Sequence, residues 1–288
     1  MRGRLSPAAR SHQQHEPQLG RAKTRARRSA LAFELVLLSA AWLTYFGIRA
    51  LTEGRREEAI ANGHDVLALE RDLGVAWEGE FQATVTDHRS LVDLANWIYI
   101  WGHWPVIAVT AIWLFRRHAR AYQRLRDAFF VSGGIGLLLF ALLPVAPPRL
   151  LEAGLVDTVT SYSTSYRALQ PPALTNIYAA MPSLHFGWDL LVGIAIVQRA
   201  TTWWLRIVGI AMPVAMAYAV VATANHYVLD VVAGGAVALL GLAVAVRLQP
   251  FVEDDPAPVP CVTAAATRLL APQPALVQRV PRLHRRRR

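Results

Sequence analysis

Two histidines stand where long apolar runs begin. His185 lies in Met181-Pro-Ser-Leu-His-Phe-Gly-Trp-Asp189 and opens a run through Leu191, Val192 and Ile194 to Val197. His226 lies in Asn225-His-Tyr-Val-Leu-Asp230, between a run ending near Ala224 and one starting at Val228. His226 and Asp230 are four apart, which on a helix puts them on one face within hydrogen-bonding reach. A carboxylate behind an imidazole fixes its tautomer and stabilises its charged form. That is the arrangement of an activated histidine. Asp189 stands at the same spacing from His185 and could orient it, or could pair with a polar group on another helix.

The elements that must position these groups are membrane helices. The chain of 288 residues is 54% hydrophobic and only 17% charged, too apolar for an ordinary soluble domain. Between the two histidines there is room for one crossing, a short turn bearing Arg199 and Arg206, and a crossing back, so both belong at one membrane surface. Crossings are expected at about 29–49, 91–115, 128–143, 182–198, 203–223 and 228–246. The first run is too long for a signal-peptide core and lacks a clean small-residue cleavage site. Residues 50–90 carry more Asp and Glu than Arg, and Val66, Leu69 and Leu73 follow helical spacing. They suggest an amphipathic helix on the membrane surface. The expected organisation is a basic disordered tail over 1–28, an all-α six-helix membrane domain over 29–247, and a disordered Pro-, Ala- and Arg-rich tail over 248–288.

The net charge of +10 invites a nucleic-acid partner, but the basic residues sit beside membrane segments. Positive-inside topology accounts for them better, so no nucleic acid is expected. The tails, the loop with Arg116, Arg117, Arg120, Arg124 and Arg126, and the turn at 199–206 are basic; the alternating loops are neutral or acidic. Six crossings with both ends cytoplasmic satisfy every loop and put Arg149, His185, His226 and Asp230 at the outer face. That predicts a multi-pass protein of the plasma membrane. Lys23 is the only lysine beside many arginines and alanines, which suggests a GC-rich, bacterial genome. Cys261 is the only cysteine, so an intramolecular disulfide is excluded. His103, near the middle of the second crossing with Asn96 and Tyr99 close by, suits interhelical hydrogen bonding. The aromatic residues from Trp97 to Trp104 suit packing and interface anchoring.

Pro-Ser-Leu-His followed by His-Tyr-Val-Leu-Asp resembles the second and third motifs of the type 2 phosphatidic acid phosphatase superfamily. Pro-Ser-Leu-His-Phe-Gly is most similar to its inositol phosphorylceramide synthase-like branch, and Ala146-Pro-Pro-Arg149 to the preceding motif of bacterial members. The resemblance covers roughly residues 90 to 245. It implies a six-helix bundle of that kind and a membrane-embedded phosphotransferase on lipid-linked phosphate, passing through a phosphohistidine. In this reading His226 is the nucleophile, backed by Asp230, and His185 is general acid and then base. Ser183, backbone N–H groups and Arg149 take the phosphoryl oxygens, with Asn225 and Tyr227 as supporting residues. Val220 stands where the phosphatases carry an arginine, which makes Arg167 in the outer loop a candidate replacement.

No carboxylate cluster suited to Mg²⁺ or Ca²⁺ is visible, so neither a metal nor another cofactor is expected. The partners implied are membrane lipids, a lipid-linked phosphate and an alcohol acceptor. Leu184, in place of the phosphatases' glycine, and Phe186 are expected to make the pocket edge bulky and dry, which favours an alcohol over water. The alternatives are a lipid phosphate phosphatase and, more distantly, a transporter or a silent scaffold. A transporter would more often show broken helices near the bilayer centre and internal repeats, and no repeat is found.

Overall fold

A computed structural model of the protein describes residues 32–52, 54–162 and 176–249. Ten α-helices follow one another in this part of the chain. The first six are α1 (Ala32–Thr52), α2 (Arg56–Leu73), α3 (Glu78–Thr86), α4 (Arg89–Trp101), α5 (Trp104–Arg117) and α6 (Ala119–Leu142). After a short 3₁₀ turn at Pro148–Leu150 come α7 (Thr158–Tyr162), α8 (Leu184–Arg199), α9 (Trp203–Ala222) and α10 (Val228–Leu248). Among the described residues the sole β feature is a parallel bridge between Val145 and Ala179, which holds the loop after α6 against the approach to α8. The fold is all-α.

Four helices, α1, α6, α9 and α10, are long and apolar enough to cross a membrane. The pair α4 and α5 makes a fifth if its 41° bend lies within one span. The bend has a local cause. Pro105 sits in the first turn of α5 and offers no N–H, so the ladder of α4 ends at Gly102, which donates to the Ile98 carbonyl at 2.8 Å. The expected second crossing is thus two helices, with His103 at their junction. Sixteen residues make α8 about 24 Å long, less than a bilayer's hydrocarbon core. The described helices therefore give four or five spans by length and composition, against the six expected.

Where the sequence suggested an Arg-rich loop over 116–126, the chain breaks only at His118, and α6 begins at Ala119. Arginine and alanine are good helix formers, so the segment continues as helix. Arg126 donates to Glu34 of α1 at 2.6 Å, and the Tyr122 hydroxyl donates to the same carboxylate at 2.9 Å. These bonds tie the largely exposed α1 to α6.

The bundle's centre is α10, packed on both α6 and α8, with α9 on the far side of α8. Close approach requires glycine here. A Cβ on Gly187 of α8 would lie 2.5 Å from the Gly234 carbonyl of α10, and one on Gly234 would lie 2.1 Å from the Ser183 carbonyl. Small residues at such crossings let backbones touch in a membrane bundle. Leu125, Ala128, Leu191, Val192 and Ala238 fill the interior between these helices. Large apolar side chains such as Val109, Leu142, Trp203, Val214 and Val232 point outward, as a lipid-facing surface needs.

The segment over 50–90 is closely packed onto the bundle. The buried face of α2 is Ala59, Gly63, Leu67 and Glu70, whereas Leu69 and Leu73 face out. Gly63 lies so near the Tyr227 hydroxyl and the Ala146 carbonyl that a Cβ would meet them at 2.8 and 2.9 Å. The Tyr227 hydroxyl itself donates to that carbonyl at 2.8 Å.

Candidate active site

His226 sits in a tight turn between α9 and α10. The turn is built by backbone bonds: the Asn225 and His226 N–H groups both donate to the Val220 carbonyl at 3.0 Å. Ala224 adopts φ 53°, a left-handed conformation that an alanine holds only at a cost. The Nδ1 of His226 lies 2.7 Å from the Ala180 carbonyl and 3.3 Å from Asp230 Oδ2. Both are acceptors, so the proton belongs on Nδ1 and the lone pair on Nε2. The carboxylate expected behind the imidazole is present, but a backbone carbonyl holds the same nitrogen more closely. Asp230 also accepts from the Tyr227 N–H at 3.0 Å, capping α10. Both residues are buried: His226 is 4% and Asp230 0% exposed.

His185 lies in the first turn of α8, partly exposed, with its ring centre 5.8 Å from that of His226. Ser183 caps α8, its hydroxyl accepting from the Phe186 N–H at 3.5 Å, while its own N–H donates to the Asp230 carbonyl at 3.0 Å. The Met181–Pro182 bond leading into this turn is cis. The motif histidines, 41 residues apart in sequence, thus meet where the N-termini of α8 and α10 converge.

Asp189 does not orient His185. Its Oδ1 accepts from His103 Nδ1 at 2.9 Å, both side chains being almost wholly buried. The His103 ring lies 4.6 Å from that of His185, and Tyr99 covers His185 at 4.7 Å. The interhelical bond expected of His103 is therefore made. The break between α4 and α5 is what brings this second His–Asp pair alongside His185. Among the aromatic residues read as anchors, Trp97 and Trp104 are more than half exposed, whereas Tyr99 belongs to the site.

Arg149 is the middle residue of the 3₁₀ turn, and its N–H donates to the Ala224 carbonyl at 3.0 Å. Its guanidinium donates to Asn225 Oδ1 and lies 3.5 Å from Asp157 Oδ2. Asn225 in turn donates to Thr223 Oγ1 at 2.7 Å. These bonds hold a cation against the His226 turn, through Ala224 and Asn225. Val220 is buried among Tyr99, Met216 and Val221, so no cation occupies the position where the phosphatases carry their arginine. Arg167 lies outside the described residues, as do both tails. Among the described residues no three His, Cys, Asp or Glu side chains are placed to share a metal ion.

Leu184 and Phe186 are spent on helix packing. Leu184 packs over Gly136 of α6 and Phe186 over Gly235 of α10, so that a Cβ on either glycine would come within 2.9 or 3.0 Å of them.

The profile of the PAP2 superfamily matches residues 64–244. The chain belongs to the PAP2 superfamily. It is therefore a membrane-embedded enzyme of the phosphatase or phosphotransferase type, acting on lipid phosphate. The transporter and scaffold readings are set aside. The matched span begins inside α2, so the PAP2 region includes the packed segment ahead of α4 as well as both histidine motifs. No curated protein and no solved structure matches the chain.

Sequence reasoning missed Tyr99, the Ala180 carbonyl, and two buried acids of the segment ahead of α4, Glu70 and Glu78, which accept from the Leu229 and Val228 N–H groups next to the His226 turn. A backbone oxygen leaves no signal in a sequence. Glu70 leaves one: it sits in register with Ala59, Gly63 and Leu67 on the small-residue face of α2.

Proposed function

We propose that the protein transfers a phosphoryl group from a lipid-linked donor to a bound alcohol, in the manner of an inositolphosphotransferase, through a phosphohistidine on His226. The observation that carries the reading is the pairing of acceptors on His226 Nδ1, which leaves Nε2 with the lone pair beside His185. In the first step Nε2 attacks phosphorus, an N–P bond forms and the P–O bond to the leaving alcohol breaks. His185 gives that oxygen its proton. In the second step His185 takes the proton of the incoming hydroxyl, the new P–O bond forms and the N–P bond breaks. Asp230 stabilises the imidazolium, and the His103–Asp189 pair holds the ring against which His185 packs.

Arg149 and the first turn of α8, with Ser183, take the phosphoryl oxygens. The end of α10 is unsuited to that task, because side-chain carboxylates already accept its first N–H groups. The protein lies in the plasma membrane with six crossings, both termini in the cytoplasm and the site at the outer face. The reaction needs no metal ion.

A second reading is hydrolysis of the phosphohistidine by water, since the same residues serve whichever hydroxyl reaches it. The test is a labelled phospholipid donor supplied with a panel of lipid alcohols and inositol, with both products followed. Labelled phosphoryl-alcohol supports transfer. Free phosphate alone across the panel makes the enzyme a phosphatase. For topology, an impermeant thiol reagent should label a cysteine placed at 72 but not one at 117 in a Cys261→Ser background; the reverse pattern overturns the orientation.

A further inference from the structure

Two buried acids meet at the start of the helix that follows His226. Glu70, near the end of α2, accepts from the Leu229 N–H at 2.7 Å through Oε1. Glu78, the first residue of α3, accepts from the Val228 N–H at 3.0 Å. With Asp230 on the Tyr227 N–H, three carboxyl groups take three successive N–H groups at the positive end of α10. Glu70 and Glu78 are 0% and 2% exposed. The other oxygen of Glu70, Oε2, is buried without a partner, and the Glu78 carboxyl, on the neighbouring N–H of α10, is close enough to act on the Glu70 carboxyl. Two ionised carboxylates so placed would repel, and an unsatisfied buried oxygen is costly. A proton on Glu70 Oε2, donated towards Glu78, resolves both.

We propose that Glu70 and Glu78 are positioning residues, a proton-sharing carboxyl pair that clamps the first turn of α10 and thereby sets His226 for attack. The turn carrying His226 is only two residues from these bonds, so its register depends on them. Gly63 permits the arrangement by letting α2 approach Tyr227 and Ala146. This rests on His226 as the nucleophile.

Burial, followed by the Glu78 carboxyl, pushes Glu70 up to about 8, partly opposed by the Leu229 N–H. The groups facing the pair are Asp230 and the Tyr227 hydroxyl, with His226 beyond, bonded to Asp230. Glu70 keeps its proton more tightly in the folded protein than an ordinary glutamate does. Its contribution is therefore fully present in acid, below the usual carboxylate range, and is lost as pH rises through about 8. Above that pH a second negative charge appears and the clamp loosens.

Two measurements on the full-length protein test this. The first needs no substrate: infrared spectra of wild type against Glu70→Gln, titrated with pH. A protonated-carboxyl band present in wild type, absent in the variant and lost with a midpoint near 8 is expected. Identical carboxyl bands in the two proteins overturn the shared proton. The second is turnover of a short-chain phosphatidic acid against pH. Glu70→Gln, which keeps a donor and an acceptor, should hold neutral-pH kcat within about threefold and move or remove the alkaline fall. Glu70→Ala should lose about 10- to 100-fold in kcat with KM little changed, since misplacement of a reacting group by about 1 Å has that scale. An alkaline limb unchanged in Glu70→Gln, with the band altered, overturns the positioning role. Failure of the underlying reading is seen separately, as turnover that survives His226→Ala.

Discussion

Replacing Asp230 with asparagine separates two roles that a carboxylate behind a histidine usually performs together. The side chain is 0% exposed, and Oδ2 serves both His226 Nδ1 at 3.3 Å and the Tyr227 N–H at 3.0 Å. In Asp230→Asn the amide oxygen can still accept both bonds, so the loss is of charge. A hydrogen bond to a charged group exceeds a neutral one by about 1–2 kcal/mol, and the 3.3 Å separation argues for no more than that. That converts to roughly 5- to 30-fold in kcat. The tautomer should survive, because the Ala180 carbonyl holds Nδ1 at 2.7 Å. Where a carboxylate alone orients the ring, as in the serine protease triad, its amide replacement costs about 10⁴-fold. Stability should fall as well, by about 1–3 kcal/mol, since the new NH₂ replaces Oδ1, which is buried without a partner. The assay is single-turnover transfer from a labelled lipid phosphate, with thermal unfolding in detergent alongside. A loss above about 10³-fold would show that Asp230, and not Ala180, sets the tautomer, and undiminished kcat would show that its charge does nothing for His226.

Other outcomes follow from the same geometry. Activity should persist in EDTA and be blocked by orthovanadate; loss in EDTA with recovery on adding a divalent ion refutes a metal-free phosphoryl transfer. Gly63→Ala should lower the unfolding temperature and the kcat together, by about 1–3 kcal/mol in stability, because its Cβ meets the Tyr227 hydroxyl and the Ala146 carbonyl inside 3 Å. A fully stable Gly63→Ala protein would contradict the packing of α2 on the site. His103→Phe leaves Asp189 buried without its 2.9 Å partner, so it should destabilise and slow the step served by His185. Unaltered stability and kcat in that variant would refute a role for the second His–Asp pair.

Much of the candidate site was legible because its motifs are local: a serine opening a helix reads directly from spacing, and His226 meets Asp230 as expected, although from the turn before α10 and not from a shared helix face. What crossed between helices did not. Asp189 has the spacing to serve His185, yet a break at Gly102–Pro105 brings His103 to it instead. The glycine and proline were visible, but their effect depends on which neighbour the bent helix meets. The segment over 50–90 shows a related limit. Apolar periodicity pointed to Val66, Leu69 and Leu73, whereas the buried face uses Ala59 and Gly63, whose small size is what permits contact. Helix extents were predicted well where apolar runs were clean, as in α9 and α10, and poorly where arginines continued a helix, as in α6.

The central claim is that His226 carries the phosphoryl group. The direct measurement is mass spectrometry of protein quenched in alkali during a single turnover of a labelled lipid phosphate, with His185→Ala included to slow discharge. The account predicts an acid-labile, base-stable phosphoryl group on the peptide containing His226, absent in His226→Ala. A phosphoryl group on His185, or turnover with none on either histidine, contradicts it.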